Sequence, residues 1–168
     1  QIKDEINKIW DIVDSLYGTI GMPLEVSLSF RDLENKEKYL GDDEVWDYAE
    51  NEMELIAKER NVEYFLARGE AAFYAPKLDF LAEDSLGRKH QVATIQLDLN
   101  MPVRFGLNCV NEEGKDEQVY MIHAAIMGSI ERFLSVLIEH LAGAFPAWLS
   151  PVQVKIIPIS EQNVEYAT

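Results

Sequence analysis

YAPKLDFLAEDSLGRKHQVATIQLDL, residues 74–99, decides the fold. Two alternating runs, Tyr74–Glu83 and His90–Leu99, flank a turn at Asp84–Gly87 and read as a β-hairpin or meander. Strands joined by so short a turn run antiparallel. In the second run, period-two alternation puts Val92, Thr94, Gln96 and Asp98 on one face. Ala93, Ile95, Leu97 and Leu99 take the other, which is core. The first face carries a hydroxyl and an amide on a strand with strands beside it. Such groups either bind something or meet water. They suit a small polar ligand, and a plain solvent face has the same pattern. Pro76 interrupts the first run and marks an edge or a bulge, a device that often re-aims side chains beside a site. Lys77, next to it, could bring positive charge to a phosphate or carboxylate, or could be an ordinary surface lysine.

Further strands are expected downstream, at Arg104–Val110 and, after the turn EEGKDE (112–117), at Gln118–Ile122. MIHAAIMGSIERF, residues 121–133, then reads as the start of a long helix. On a helix Ala125, Gly128 and Ser129 share one face, and Arg132 extends the line. Ile126, Ile130, Phe133, Leu134, Leu137, Ile138 and Leu141 form a core-facing stripe. A floor of small residues ending in an arginine fork suits a flat, phosphate-bearing ligand. From spacing alone, a close helix–sheet crossing with Arg132 at the surface is the commoner reason for such a floor. Pro146 and Pro151 bracket a connector, Val152–Ile157 reads as a last apolar strand, and EQNVEYAT (161–168) as a short helix.

Upstream, Ile2, Ile6, Ile9, Trp10, Val13, Leu16 and Tyr17 repeat with helical spacing and stop at Gly18. Leu24, Val26, Leu28 and Phe30 alternate with polar residues as a half-buried strand. Asp42 or Asp43 caps a second helix with Trp46, Ala49, Met53 and Ile56 inward and an acidic, solvated outer side. From Tyr64 the pattern turns to strand. Helix, strand, helix, several consecutive strands, helix: this order predicts an α+β fold, an antiparallel β-sheet flanked by helices. Residues 1–147 form the main unit and 148–168 a connector leading onward.

Composition narrows the chemistry. The chain has 168 residues, 48% of them hydrophobic, enough for one domain with a real core. No apolar run reaches the length of a membrane span. The formal net charge of −15 places any main grip on nucleic acid elsewhere. One cysteine, Cys109, leaves no internal disulfide and fits a reducing cytoplasmic setting. The first residue is Gln1, already inside a helical pattern, so a piece of a longer protein is expected. Gly18–Gly21 is not a phosphate loop, because no Lys-Ser/Thr follows. Zinc needs three or four ligands, and no pair among His90, Cys109, His123 and His140 has ligand spacing. No Ser or Cys sits in a nucleophile turn.

GEAAFYAPKLDF (69–80), QVATIQLDLNMPVRF (91–105), MIHAAIMGSIERF (121–133) and HLAGAFPAWLSPVQV (140–154) together resemble the second half of the catalytic core of threonyl-tRNA synthetase, a class II aminoacyl-tRNA synthetase. The resemblance implies a partial class II catalytic fold. It implies a ligase that activates threonine with ATP and Mg2+ and transfers it to tRNA(Thr), as a cytoplasmic homodimer with no membrane part. GSIERF resembles motif 3, placed at about 121–134. By that resemblance Arg132 contacts ATP phosphate, with Gln91 also at ATP, and Lys77 joins Arg132 as a catalytic residue. Tyr74, Thr94, Gln96 and Ser129 line the threonine–adenylate pocket. His123 is one of three protein ligands to a Zn2+ that holds the threonine amine and hydroxyl. The other ligands, a Cys and a His, and motifs 1 and 2 lie upstream of Gln1 in the family's order, so the fragment alone is expected to be inactive. Ala75, Val92 and Ala124 stand where the family usually has Gly, Cys and Arg. Those departures leave a non-catalytic, synthetase-like binding or regulatory protein as the alternative. After Ile159 the chain resembles the start of an anticodon-binding domain.

Overall fold

The computed structural model describes residues 1–167. Its centre is a five-stranded sheet of β1 (Glu25–Phe30), β2 (Tyr64–Arg68), β3 (Lys77–Glu83), β4 (Lys89–Asp98) and β7 (Met121–Ala125), in the order β2-β1-β3-β4-β7. The β1–β3, β3–β4 and β4–β7 pairs are antiparallel. The β1–β2 pair is parallel, because helix α2 (Asp43–Glu59) carries the chain back between them. The α+β expectation holds, with one parallel edge added.

Helices α1 (Ile2–Thr19), α2 and α4 (Ile130–His140) pack on the sheet, and most of their buried residues share one core with it. In α1 the buried residues are Ile6, Trp10, Val13 and Tyr17, one stripe at steps of four, three and four. Burying each such side chain stabilises the fold by roughly 1.5–3 kcal/mol. Trp10 meets Phe80 of β3 edge-on at 5.2 Å, and Tyr17 meets Phe133 of α4 at 5.9 Å. From the sheet, Val26, Leu28, Leu78, Phe80, Ala93 and Ile95 enter this core. Among the described residues, these three are the helices whose fully buried hydrophobic residues belong to that core. None of the helices is long and apolar enough to cross a membrane, among the described residues.

Several expectations are corrected. MIHAAIMGSIERF is not one helix. Met121–Ala125 is strand β7, residues 126–129 turn, and α4 starts at Ile130. Gly128 adopts φ +58°, the left-handed region, which ends any continuous helix there. Ser129 then caps α4 by accepting from the Arg132 backbone N–H. Ala125, Gly128, Ser129 and Arg132 therefore share no helical face, and of the proposed stripe Ile130, Leu134 and Ile138 are exposed. Val92 is also misplaced by simple alternation. Phe80 pairs with Ala93, but Leu81 pairs with Gln91, so Val92 is an inserted residue in β4. It turns into the core, and Gln91 takes its place on the open face.

Arg104–Val110 begins as helix α3 (Met101–Arg104), with Pro102 in its first turn and the Asp98 carboxylate accepting from the Asn100 and Met101 N–H groups. Only β5 (Asn108–Val110) remains of that strand, paired with β6 (Asp116–Gln118) in a separate hairpin. Gln118–Ile122 splits at Val119–Tyr120 between β6 and β7. Val152–Ile157 is exposed and pairs with no strand among the described residues. The expected terminal helix is a short turn followed by α5 (Val164–Ala167). The acidic side of α2 is not simply solvated: Arg31, 2% exposed, is ion-paired with Asp43, Asp47 and Glu50.

Candidate active site

Cross-strand register assembles the open face of the sheet into two rows. In one row Ala67, Ser29, Lys77, Gln96 and His123 lie side by side across β2, β1, β3, β4 and β7. In the next, Phe65, Ser27, Asp79, Thr94 and Ala125 do the same. Residues paired directly point the same way. The side chains between them, such as Leu28, Leu78 and Ile95, point into the core. A sheet with one dry face and one polar face is what alternation in β3 and β4 implies.

At one end of the first row, Tyr74, Gln96 and His123 touch. The Tyr74 hydroxyl donates to Gln96 Oε1 at 3.0 Å, which leaves the Gln96 amide group free to donate. The Tyr74 ring lies 5.5 Å from the His123 ring, and Asn100 holds the Tyr74 carbonyl at 2.8 Å. His123 Nε2 is 2.9 Å from the buried carboxylate of Asp98. A carboxylate only accepts, so Nε2 carries the proton and Nδ1 is the nitrogen left for a ligand. A histidine held this way is the usual form of a metal-binding imidazole. Among the described residues, however, no three His, Cys, Asp or Glu groups converge to hold a metal. Cys109 is exposed on the separate hairpin. The chain thus offers His123 as a single ligand.

At the centre lies Asp79, 4% exposed. Its Oδ1 accepts from Gln91 Nε2 at 2.6 Å and from Thr94 Oγ1 at 2.5 Å. Its Oδ2 accepts from Ser29 Oγ at 2.6 Å and faces Lys77 Nζ at 3.2 Å. Three sequence candidates, Lys77, Gln91 and Thr94, are thus gathered by a residue that sequence reasoning passed over. A signal existed: an acid between Leu78 and Phe80 on a buried strand needs partners. A cavity of about 220 Å³ opens beside it, lined in part by Ser27, Ser29, Glu70, Lys77 and Gln91.

Arg132 is exposed, and its Nη1 donates to the Gln91 carbonyl at 3.3 Å. Its place depends on how the turn 126–129 docks on the bulge. A Cβ on Gly128 would stand 3.1 Å from the Val92 carbonyl oxygen, so only glycine fits without a shift. The Tyr17 hydroxyl reaches both the Val92 and Ile126 carbonyls, at 3.1 and 3.0 Å. Burial pushes the Tyr17 hydroxyl well above the usual tyrosine range, which keeps it a donor. Ser129 stays apart from the Thr94–Gln96 face in its bonding. Its hydroxyl caps α4 and donates to Glu131 at 2.8 Å. At the far end of the β3–β4 hairpin, Asp84 accepts from His90, Arg88 and the Leu86 N–H. The His90 bond comes first in holding its carboxyl below the usual carboxylate range.

Known proteins resemble this chain in sequence and fold. The family described as tRNA synthetase class II core domain (G, H, P, S and T) matches residues 1–141. The chain is 48% identical over 167 residues to a threonine–tRNA ligase of Desulforamulus reducens, covering 99% of this chain and 26% of that protein. It is 47% identical over 167 residues to one of Syntrophomonas wolfei, again over 99% and 26%. It therefore spans about a quarter of the length of these curated relatives. Among solved structures it is similar to one named the RNA binding domain of threonyl-tRNA synthetase from Cryptosporidium parvum Iowa II. The TM-score is 0.90 at 39% identity, over 99% of this chain and 41% of that one. A putative threonyl-tRNA synthetase ThrRS-1 from Aeropyrum pernix gives a TM-score of 0.68 at 33% identity, over 95% and 40%. With its fold and 141 of its residues matched, the chain belongs to the family of the tRNA synthetase class II core domain (G, H, P, S and T).

Proposed function

We propose that residues 1–147 are the motif 3 half of the catalytic domain of a threonine–tRNA ligase, and that 148–168 lead toward its anticodon-binding domain. The parent activates threonine with ATP to threonyl-adenylate and passes threonine to tRNA(Thr), as a homodimer. The observation that carries this reading is the single register row of Lys77, Gln96 and His123, with Tyr74 bonded to Gln96. It provides donors and a ligating nitrogen, side by side, for a small molecule bearing an amine, a hydroxyl and a carboxylate. A site that must bond a hydroxyl rejects an isostere that lacks one far better than an apolar pocket does.

In this reading Tyr74, Thr94, Gln96 and Ser129 serve threonine, and Gln91 and Arg132 serve ATP. Arg132 and Lys77 offset phosphate charge, which Mg2+ on the nucleotide shares. Activation is attack of a threonine carboxylate oxygen on the α-phosphate, which breaks the α–β phosphoanhydride bond and releases pyrophosphate, helped by positioning and by charges fixed in advance. His123 fits as one ligand of a zinc ion, with Asp98 fixing its ring. When bound, that ion would grip the threonine amine and hydroxyl. One ligand does not make a site, and the 168-residue chain alone activates no threonine.

The alternative, a non-catalytic relative, is the second reading, because its three departures stand outside the two register rows. Ala75 is fully buried, Val92 turns into the core, and Ala124, exposed, is paired with Ile95 rather than with a residue of the polar rows. The test is Arg132→Ala in the full-length ligase. Threonine-dependent ATP–pyrophosphate exchange is expected to fall at least about a hundredfold. Near-normal exchange would remove Arg132 from the site.

A further inference from the structure

We infer that Asp79 is a positioning residue of this site, and that it sets which hydrogen-bonding groups the face presents to a ligand. The inference rests on the function proposed above. A carboxylate offers about four acceptor positions and no donor. All four are in use: Gln91 and Thr94 on Oδ1, Ser29 and Lys77 on Oδ2.

The consequence is directional. The Gln91 amide group is turned inward, so its carbonyl oxygen points away from Asp79 and is presented as an acceptor. Thr94 spends its only hydroxyl hydrogen on Asp79, so it too meets a ligand as an acceptor. Lys77, anchored at 3.2 Å, keeps N–H donors for an anion. One buried carboxylate thus makes the centre of the face two acceptors beside one cation. That pattern fits the amine or hydroxyl groups of a ligand beside its phosphate or carboxylate.

The reach extends to Arg132. Its guanidinium donates to the backbone carbonyl of Gln91, whose side chain Asp79 holds. Gln91 faces outward because the bulge turns both Val92 and Ala93 into the core. Asparagine at 79 would put an NH2 group, which only donates, where one acceptor oxygen meets a ring of donors, and would leave Lys77 without this charge partner. Holding groups in register is worth orders of magnitude in rate, so small displacements are costly.

The experiment uses the full-length ligase containing this chain, as Asp79→Asn and Asp79→Glu. Asp79→Asn is expected to lower kcat for threonine-dependent exchange at least about thirtyfold, with a smaller change in KM and a melting temperature within a few degrees of the parent. Asp79→Glu restores the charge and is expected to recover at least about tenfold of that loss. Exchange by Asp79→Asn within about threefold of wild type overturns the inference. So do equal losses in both variants that follow their melting temperatures, as a merely structural role would give. If Asp79→Asn does not fold, Asp79→Glu decides alone: a loss beyond about a hundredfold in a folded enzyme overturns it. If the unaltered enzyme shows no threonine-dependent exchange, the proposed function has failed. Crystal structures then judge Asp79 separately. Lys77 and Gln91 unmoved in Asp79→Asn overturn the inference, and both displaced uphold it.

Discussion

Tyr17→Phe removes one oxygen atom and tests how the core holds the site. The Tyr17 ring is 1% exposed and packs on Phe133, so phenylalanine keeps its volume and its edge contact. What is lost is the hydroxyl that lies 3.1 Å from the Val92 carbonyl and 3.0 Å from that of Ile126. One hydroxyl hydrogen serves both acceptors, so the loss is nearer to one hydrogen bond than to two. A net hydrogen bond is worth about 1 kcal/mol, and an acceptor stranded in a buried place adds to that, giving about 1–2 kcal/mol. For a domain of this size the fall in melting temperature is about 3–6 °C. Circular dichroism melts and urea unfolding of the same preparations would measure it. A shift below about 1 °C, with an unchanged urea midpoint, refutes the idea that this hydroxyl ties the β4 bulge to the turn before α4. A fall of more than about 12 °C refutes it differently, by showing that the ring packing was disturbed.

Two further predictions concern the ends of that hairpin and turn. Gly128→Ala places a Cβ 3.1 Å from the Val92 carbonyl on a backbone at φ +58°, and should destabilise by about 1–2 kcal/mol in urea unfolding. No loss would mean that the turn relaxes freely. Asp84 has a folded-state pKa below its unfolded value, chiefly through its bond from His90, so the unfolded chain takes up the proton first. Its contribution is present above about pH 4 and is lost as the pH falls below that. Urea midpoints measured from pH 7 down to 2 should therefore drop less steeply in Asp84→Asn than in the parent, and parallel curves would remove Asp84 from the acid response.

Periodicity revealed α1, α2, the β3–β4 hairpin and the fold class, because their apolar spacing is long and regular. It failed where a single backbone event overrides spacing. Gly128 and the Ser129 cap turn what reads as helix into strand, turn and helix. The inserted Val92 reverses which of Gln91 and Val92 faces out. The parallel β1–β2 pair depends on where α2 returns the chain, which no local pattern states. The resemblance to threonyl-tRNA synthetases named Tyr74, Lys77, Gln91, Thr94, Gln96, His123 and Arg132. It did not name Asp79, which joins three of them. A residue whose work is done through others leaves no motif of its own, only an acid where apolar residues are expected. Arg31 shows the same blind spot, since its partners on α2 read as a solvent-facing acidic surface.

The insertion at Val92 also changes how β4 can be altered by evolution or by design. The strand is written in two phases. After Val92, even-numbered residues face the ligand side; before it, odd-numbered ones do. Deleting Val92 would close the bulge and restore unbroken alternation with every remaining residue on its present face, whereas deleting a residue elsewhere in the strand would move one flank to the opposite face. Substitutions in β4 can be judged one position at a time, and the bulge is the one place where the strand can lose a residue without rewriting a whole surface.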